Sequence, residues 1–150
     1  MSLNGITRRT FATSAFSMLA ILGTGAEVRV LRDPTRGGVA TTLNEFIEGT
    51  ALGIELYEDK IPVRDQVRSA CDMLGLDPLY CANEGKLLAV AAADDAERVL
   101  SAMRETEEGR DAAIIGRVSA GYPGKLVMDT AFGGKRILQK LTGAQLPRIC

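Results

Sequence analysis

The chain of 150 residues contains no histidine. That absence removes Ser-His-Asp and Cys-His catalysis and every His-ligated metal site. Cysteine is scarce as well: Cys71, Cys81 and Cys150, with no C-x-x-C pair. An odd number at these spacings supports neither a disulfide framework nor a zinc knuckle, and reduced thiols in the cytoplasm fit best. Neither sign of charge prevails. The net charge of −1 offers no basic field to nucleic acid. A Walker A loop is also missing, because Gly85-Lys86 and Gly134-Lys135 lack both the earlier glycine and the following Ser or Thr. No internal repeat or low-complexity segment stands out.

What is present has globular proportions, 46% apolar and 25% charged, in a length that suits one domain with a sizeable core. Arg8-Arg9, followed by an apolar run to Leu22, has the outline of a twin-arginine export signal. Its rival is a helix of the domain over residues 8–22. Phe11, Ala15, Met18, Leu19 and Leu22 share one helical face, while Thr13, Ser14 and Ser17 interrupt the supposed apolar core. The helix is the expectation, with a cytoplasmic protein and no membrane partner.

Residues 27–31 alternate as a short strand. Asp33-Pro34-Thr35-Arg36-Gly37-Gly38 then turns the chain into a helix reaching about Glu48, apolar at Val39, Leu43, Phe46 and Ile47 and ended by Gly49. A strand follows over residues 52–57, and Pro62 opens a helix carrying Val63, Val67, Ala70 and Leu74, stopped by Gly75. The fully apolar run Leu87–Ala92 predicts a strand covered on both faces. Asp94 and Asp95 open a helix with Ala96, Val99, Leu100 and Met103 inward. Residues 112–118 and 125–128 read as a hairpin, and 135–141 as a last strand or helix. Strands alternating with helices, closed by a hairpin, predict an α/β sandwich with a mixed sheet.

Three stretches carry chemistry. The Asp33 to Gly38 turn lies between strand and helix, where glycines let backbone N–H groups approach an anion such as phosphate. Its plainer reading is a turn capped by Asp33 or Thr35, and on spacing alone that reading is preferred. Asn83-Glu84-Gly85-Lys86 gathers an amide, a carboxylate and an ammonium at the mouth of the apolar strand. Glu84 there is either a general base or part of a solvated loop. The last nine residues, 142–150, form a mobile tail whose thiol, on Cys150, has a reach of about 30 Å when extended. Cys71 is in register with the core, and nothing nearby supplies an activating positive environment for Cys81.

Three blocks resemble the C-terminal half of the HypE family of hydrogenase maturation proteins. They are Leu31-Arg32-Asp33-Pro34-Thr35-Arg36-Gly37-Gly38 with Ala40-Thr41-Thr42-Leu43-Asn44-Glu45; Asp77-Pro78-Leu79-Tyr80-Cys81-Ala82-Asn83-Glu84-Gly85-Lys86; and Leu146-Pro147-Arg148-Ile149-Cys150. The resemblance implies a fold like the C-terminal domain of PurM, the aminoimidazole ribonucleotide synthetase, over residues 1–141, followed by the tail. It implies that Cys150 carries a carbamoyl group received from a carbamoyltransferase. With ATP that group is dehydrated to a thiocyanate, whose cyanide passes to an iron-cyanide scaffold complex. By the same resemblance Glu84 is the local base, and Asp33, Thr35, Arg36, Gly37 and Gly38 lie near the phosphates or the incoming tail. ATP and Mg would be bound mainly by an N-terminal domain, in a homodimer. That domain and its acidic metal-binding residues are missing here, so no metal ligand is expected and the isolated chain should be an incomplete enzyme. The alternative is a non-catalytic interaction module whose tail docks on maturation partners.

Overall fold

The computed structural model describes residues 8–13 and 17–142. In chain order its elements are β1 (Arg8–Thr13), α1 (Ser17–Gly23), β2 (Val28–Arg32), α2 (Gly38–Ile47), β3 (Gly53–Tyr57), α3 (Asp65–Leu74), β4 (Leu87–Ala92), α4 (Ala96–Arg104), β5 (Ile114–Ser119), β6 (Leu126–Asp129) and β7 (Lys135–Leu138). The seven strands make one sheet in the order β2-β4-β1-β5-β3-β6-β7. All pairs are antiparallel except β3 with β6, so the sheet is mixed, as expected.

β4 fixes the layering. Leu88 and Val90 join one core with Leu43 and Ile47 of α2, Ile54 and Leu56 of β3, and Leu126 and Met128 of β6. Leu87, Ala89 and Ala91 face the other way, packed with Ile21 of α1 and with Val99, Leu100 and Met103 of α4. The run is therefore covered on both faces, and each large side chain buried this way contributes about 1.5–3 kcal/mol. The inward face expected for α4 holds in full: Ala96, Val99, Leu100 and Met103 are all buried.

Three expectations are corrected. The single helix over residues 8–22 is two elements: β1, set between β4 and β5, and a short α1 in which Ile21 is buried while Leu19 and Leu22 are 76% and 58% exposed. Thr10, Phe11 and Thr13 are strand formers, and two flanking strands supply main-chain partners that outweigh a helical period. Arg8 and Arg9 accordingly lie in a sheet ladder. The hairpin expected between residues 112–118 and 125–128 does not form, because β3 stands between β5 and β6. Lys125 N–H does close a turn onto the Tyr122 carbonyl, but Gly124 N–H donates to Leu52 and the Lys125 carbonyl accepts from Ile54, which delivers β6 alongside β3. The hairpin that closes the sheet is β6–β7, which resolves the last element as a strand.

The third correction concerns α3, which starts at Asp65 rather than Pro62. Val67 and Leu74 are 45% and 71% exposed, and only Cys71 of this helix is buried. α3 lies against the 3-10 turn Pro78–Tyr80, and Cys71 is the one buried side chain it contributes. Cys150 and the tail beyond Thr142 lie outside the described residues.

Candidate functional site

β2 and β4 pair antiparallel with Arg32 opposite Leu88. The chain leaving β2 and the chain entering β4 therefore meet at one edge of the sheet, which brings two of the three candidate stretches together. Pro34 carbonyl accepts from Asn83 N–H at 3.2 Å. Asp33 Oδ2 accepts from Gly85 N–H at 3.3 Å, and its Oδ1 accepts from the Thr35 hydroxyl at 3.1 Å. Asn83 in turn donates through its side-chain amide to the Cys81 carbonyl at 2.9 Å. Glu84 is exposed at this seam, as are Thr35 and Arg36.

Neither Asp33 nor Thr35 caps α2. The N-cap residue is Gly37, left-handed at φ 66°, with no side-chain hydrogen bond to the helix. No side chain therefore caps the first turn of α2, whose residues Gly38, Val39 and Ala40 are buried beside exposed Arg36; an uncapped helix start next to a cation favours an anion. Gly38 has a different reason. A Cβ there would stand 2.4 Å from the Leu79 carbonyl oxygen and 2.6 Å from that of Cys81. It is the close packing of α2 on the chain's own Pro78–Cys81 backbone, and not a ligand, that requires glycine at 38.

The same helix turn receives the end of the described chain. Leu141 N–H donates to Thr41 Oγ1 at 3.3 Å, and Asn44 Nδ2 donates to the Leu138 carbonyl at 3.0 Å. Tyr80 hydroxyl donates to the Gln139 carbonyl at 2.9 Å, and Lys140 Nζ lies 3.0 Å from Glu48 and 3.5 Å from Glu45. The strand after the hairpin is therefore tied along α2 and released at its N-terminal turn. Glycine turn, Glu84 loop and the start of the tail share one end of the molecule.

The model of the AIR synthase related protein, C-terminal domain, matches residues 9–129. The chain belongs to this AIR synthase-related family. Within it, the chain is 55% identical over 131 residues to carbamoyl dehydratase HypE of Azotobacter vinelandii, covering 87% of this chain and 38% of that protein. A crystal structure of hydrogenase maturation protein HypE superposes with a TM-score of 0.86 at 36% identity, over 95% of this chain and 56% of that one. HypE in complex with ATP gives 0.80 at 36% identity, over 95% and 52%, and a HypE–HypF complex gives 0.80 at 32%, over 90% and 53%. The chain thus spans well under two thirds of the length of the relatives it matches.

The resemblance to HypE and the expected fold both stand. In this AIR synthase-related domain the described residues contain no group of three or more potential metal-ligating side chains, and no helix among them is long and apolar enough to cross a membrane. Cys71 is buried and Cys81 half-buried. Burial first, and then the neighbouring Cys71 thiol, push the Cys81 thiol above its ordinary range, which leaves little thiolate.

Sequence reasoning missed two charged clusters. Glu55, 7% exposed, accepts from Arg117 at 3.1 and 2.9 Å and from the Ser119 hydroxyl at 3.2 Å. The Arg117 hydrogen bonds hold its carboxyl below the ordinary range, against the effect of burial. Arg136 pairs with Asp77 at 2.6 Å, and Asp77 also accepts from Leu79 N–H at 2.9 Å, bracing the turn beside Cys81. The only sequence signal for Glu55 was one acid between Ile54 and Leu56, matched by one base beside Val118.

Proposed function

We propose that this domain is the cysteine-bearing part of an ATP-dependent carbamoyl dehydratase serving [NiFe] hydrogenase maturation, with Cys150 as the carrier thiol. The observation that carries the reading is the convergence at the N-terminal turn of α2. Leu141, nine residues before the terminal cysteine, is tied to Thr41, and the Glu84 loop is bonded to the turn that opens the same helix. The nine residues from Thr142 to Cys150 extend to about 30 Å, enough to return the thiol to this corner or carry it to another protein. The matched HypE complexes with ATP and with HypF support a nucleotide and a maturation-protein partner for the longer protein, and in this reading a carbamoyltransferase loads the thiol.

Dehydration turns a thiocarbamate, S–C(=O)–NH₂, into S–C≡N. ATP supplies the phosphoryl group that makes the oxygen a leaving group. Within this chain Glu84 accepts one of the two amide-nitrogen protons as the C–O bond breaks and phosphate departs, the other proton passing to solvent when the oxygen takes the phosphoryl group and ADP leaves. Thr35, Arg36 and the backbone N–H groups at Gly37 and Gly38 offer an anion-favouring corner that fits one end of a phosphate chain. They do not make a whole nucleotide site, and no group of three or more carboxylates among the described residues fits Mg. The residues that complete the site belong to an N-terminal domain, and a homodimer and an iron-cyanide scaffold are the further partners of this reading.

Mass spectrometry on a longer protein joining this chain to its ATP-binding domain tests the assignment. Cys150→Ser should take up no carbamoyl group. Glu84→Gln should load normally and then retain the carbamoyl adduct when ATP is added, because the amide keeps the shape but accepts no proton. Conversion to thiocyanate at the wild-type rate in Glu84→Gln would remove Glu84 from the mechanism.

A further inference from the structure

We infer that Asp33 is a positioning residue, whose two carboxylate oxygens join the loop after β2 to the loop before β4 and so fix the backbone that carries Glu84. Glu84 is bracketed by anchored N–H groups. On one side Asn83 N–H donates to the Pro34 carbonyl at 3.2 Å. On the other, Gly85 N–H donates to Asp33 Oδ2 at 3.3 Å. The second Asp33 oxygen is occupied by the Thr35 hydroxyl at 3.1 Å, which orients the carboxylate toward the seam. Pro34 is buried, and Gly85 holds a left-handed φ of 73° that suits glycine, so the splice joins a ring-fixed residue to one able to take the required turn. The Glu84 side chain takes no part in it and stays exposed. The result is a carboxylate on a fixed stem.

This changes the role expected for Asp33 from the resemblance. An acid already accepting two hydrogen bonds repels phosphate, so contact with the cofactor falls to its neighbours Thr35 and Arg36. The effect on turnover rests on the proposed role of Glu84, whereas the effect on the loop does not, and the two are measured separately.

The first measurement is amide hydrogen exchange on this chain by NMR. Asp33→Ala should speed exchange at Gly85 about tenfold while the amides of β4 and β5 stay unchanged. Asp33→Asn should restore protection, because its carbonyl accepts from Gly85 N–H and its amide donates to the Thr35 hydroxyl. The second measurement is steady-state dehydration by the longer protein. Asp33→Ala should lower kcat about tenfold with the KM for ATP held within about twofold, and Asp33→Asn should recover most of the loss. Wild-type exchange at Gly85 in Asp33→Ala overturns the inference. So does an Asp33→Asn enzyme as impaired as Asp33→Ala with a raised KM for ATP, since the charge itself would then be contacting the nucleotide or its cation. If exchange follows expectation while Glu84→Gln still dehydrates at the wild-type rate, the splice stands and the base assignment fails.

Discussion

At the scale of the residue, Glu55 is held by a neighbour half in solvent: the Arg117 side chain is 47% exposed while Glu55 is largely enclosed. Its pKa lies lower in the folded chain than in the unfolded one, so its contribution is fully present above the ordinary glutamate value of about 4.3. It is lost as pH falls through the lower folded value. Urea midpoints of the wild type should therefore drop below about pH 4, whereas those of Glu55→Gln should be lower at neutral pH and flatter in acid. At neutral pH the variant should lose about 1–2 kcal/mol. Identical acid profiles for the two proteins would contradict this account. Among the candidate site residues, the Asp33 turn and the Glu84 loop were visible as separate stretches, whereas their union was not. It depends on Arg32 standing opposite Leu88, and nothing in either strand's own pattern specifies that register. The open end of α2 was hidden for a similar reason, since Asp33 is committed to Gly85 and not to the helix.

At the scale of the element, β1 and β4 make opposite cases. Leu87–Ala92 was legible because five consecutive buried residues leave only a strand with two covered faces. Arg8–Thr13 was not, because its sequence also satisfies a helical face and only its neighbours decide. Removing it would take from β4 and β5 one of the two ladder partners each has, in the middle of the sheet, and open unpaired backbone to solvent. A variant beginning after Thr13 should fail to unfold cooperatively by circular dichroism, and a wild-type melting temperature would show β1 to be dispensable. The misread hairpin has the same origin. Tyr122-Pro123-Gly124 is a turn by composition, but a turn names the bend and not the strand that lies beyond it. α3 shows the limit of amphipathic reasoning, since its apolar residues follow a helical period and yet only Cys71 is buried.

At the scale of the whole molecule, the corner at the start of α2 sets a helix end without a side-chain cap beside Arg36, and the described residues hold no cluster of acids for a divalent cation. Calorimetric titration of this chain with Mg-ATP should give no saturable heat in the micromolar range, and micromolar affinity would place a complete nucleotide site within these residues. Fold class was readable from the alternation of strands and helices, whereas the order of strands was not, since a sheet ordered β2-β4-β1-β5-β3-β6-β7 departs from chain order at almost every step. That order has a consequence in time. β1 leaves the ribosome before any other described strand, yet the nearest residue it pairs with is Leu87, opposite Thr13, and its second partner comes later still. At synthesis rates of about 5–20 residues per second it waits roughly 4–15 s without a neighbour. β1 then joins β4 first and receives β5 only afterwards, slow, non-local steps, and until β1 is seated the edge of β4 that it covers is open to any strand that reaches it first.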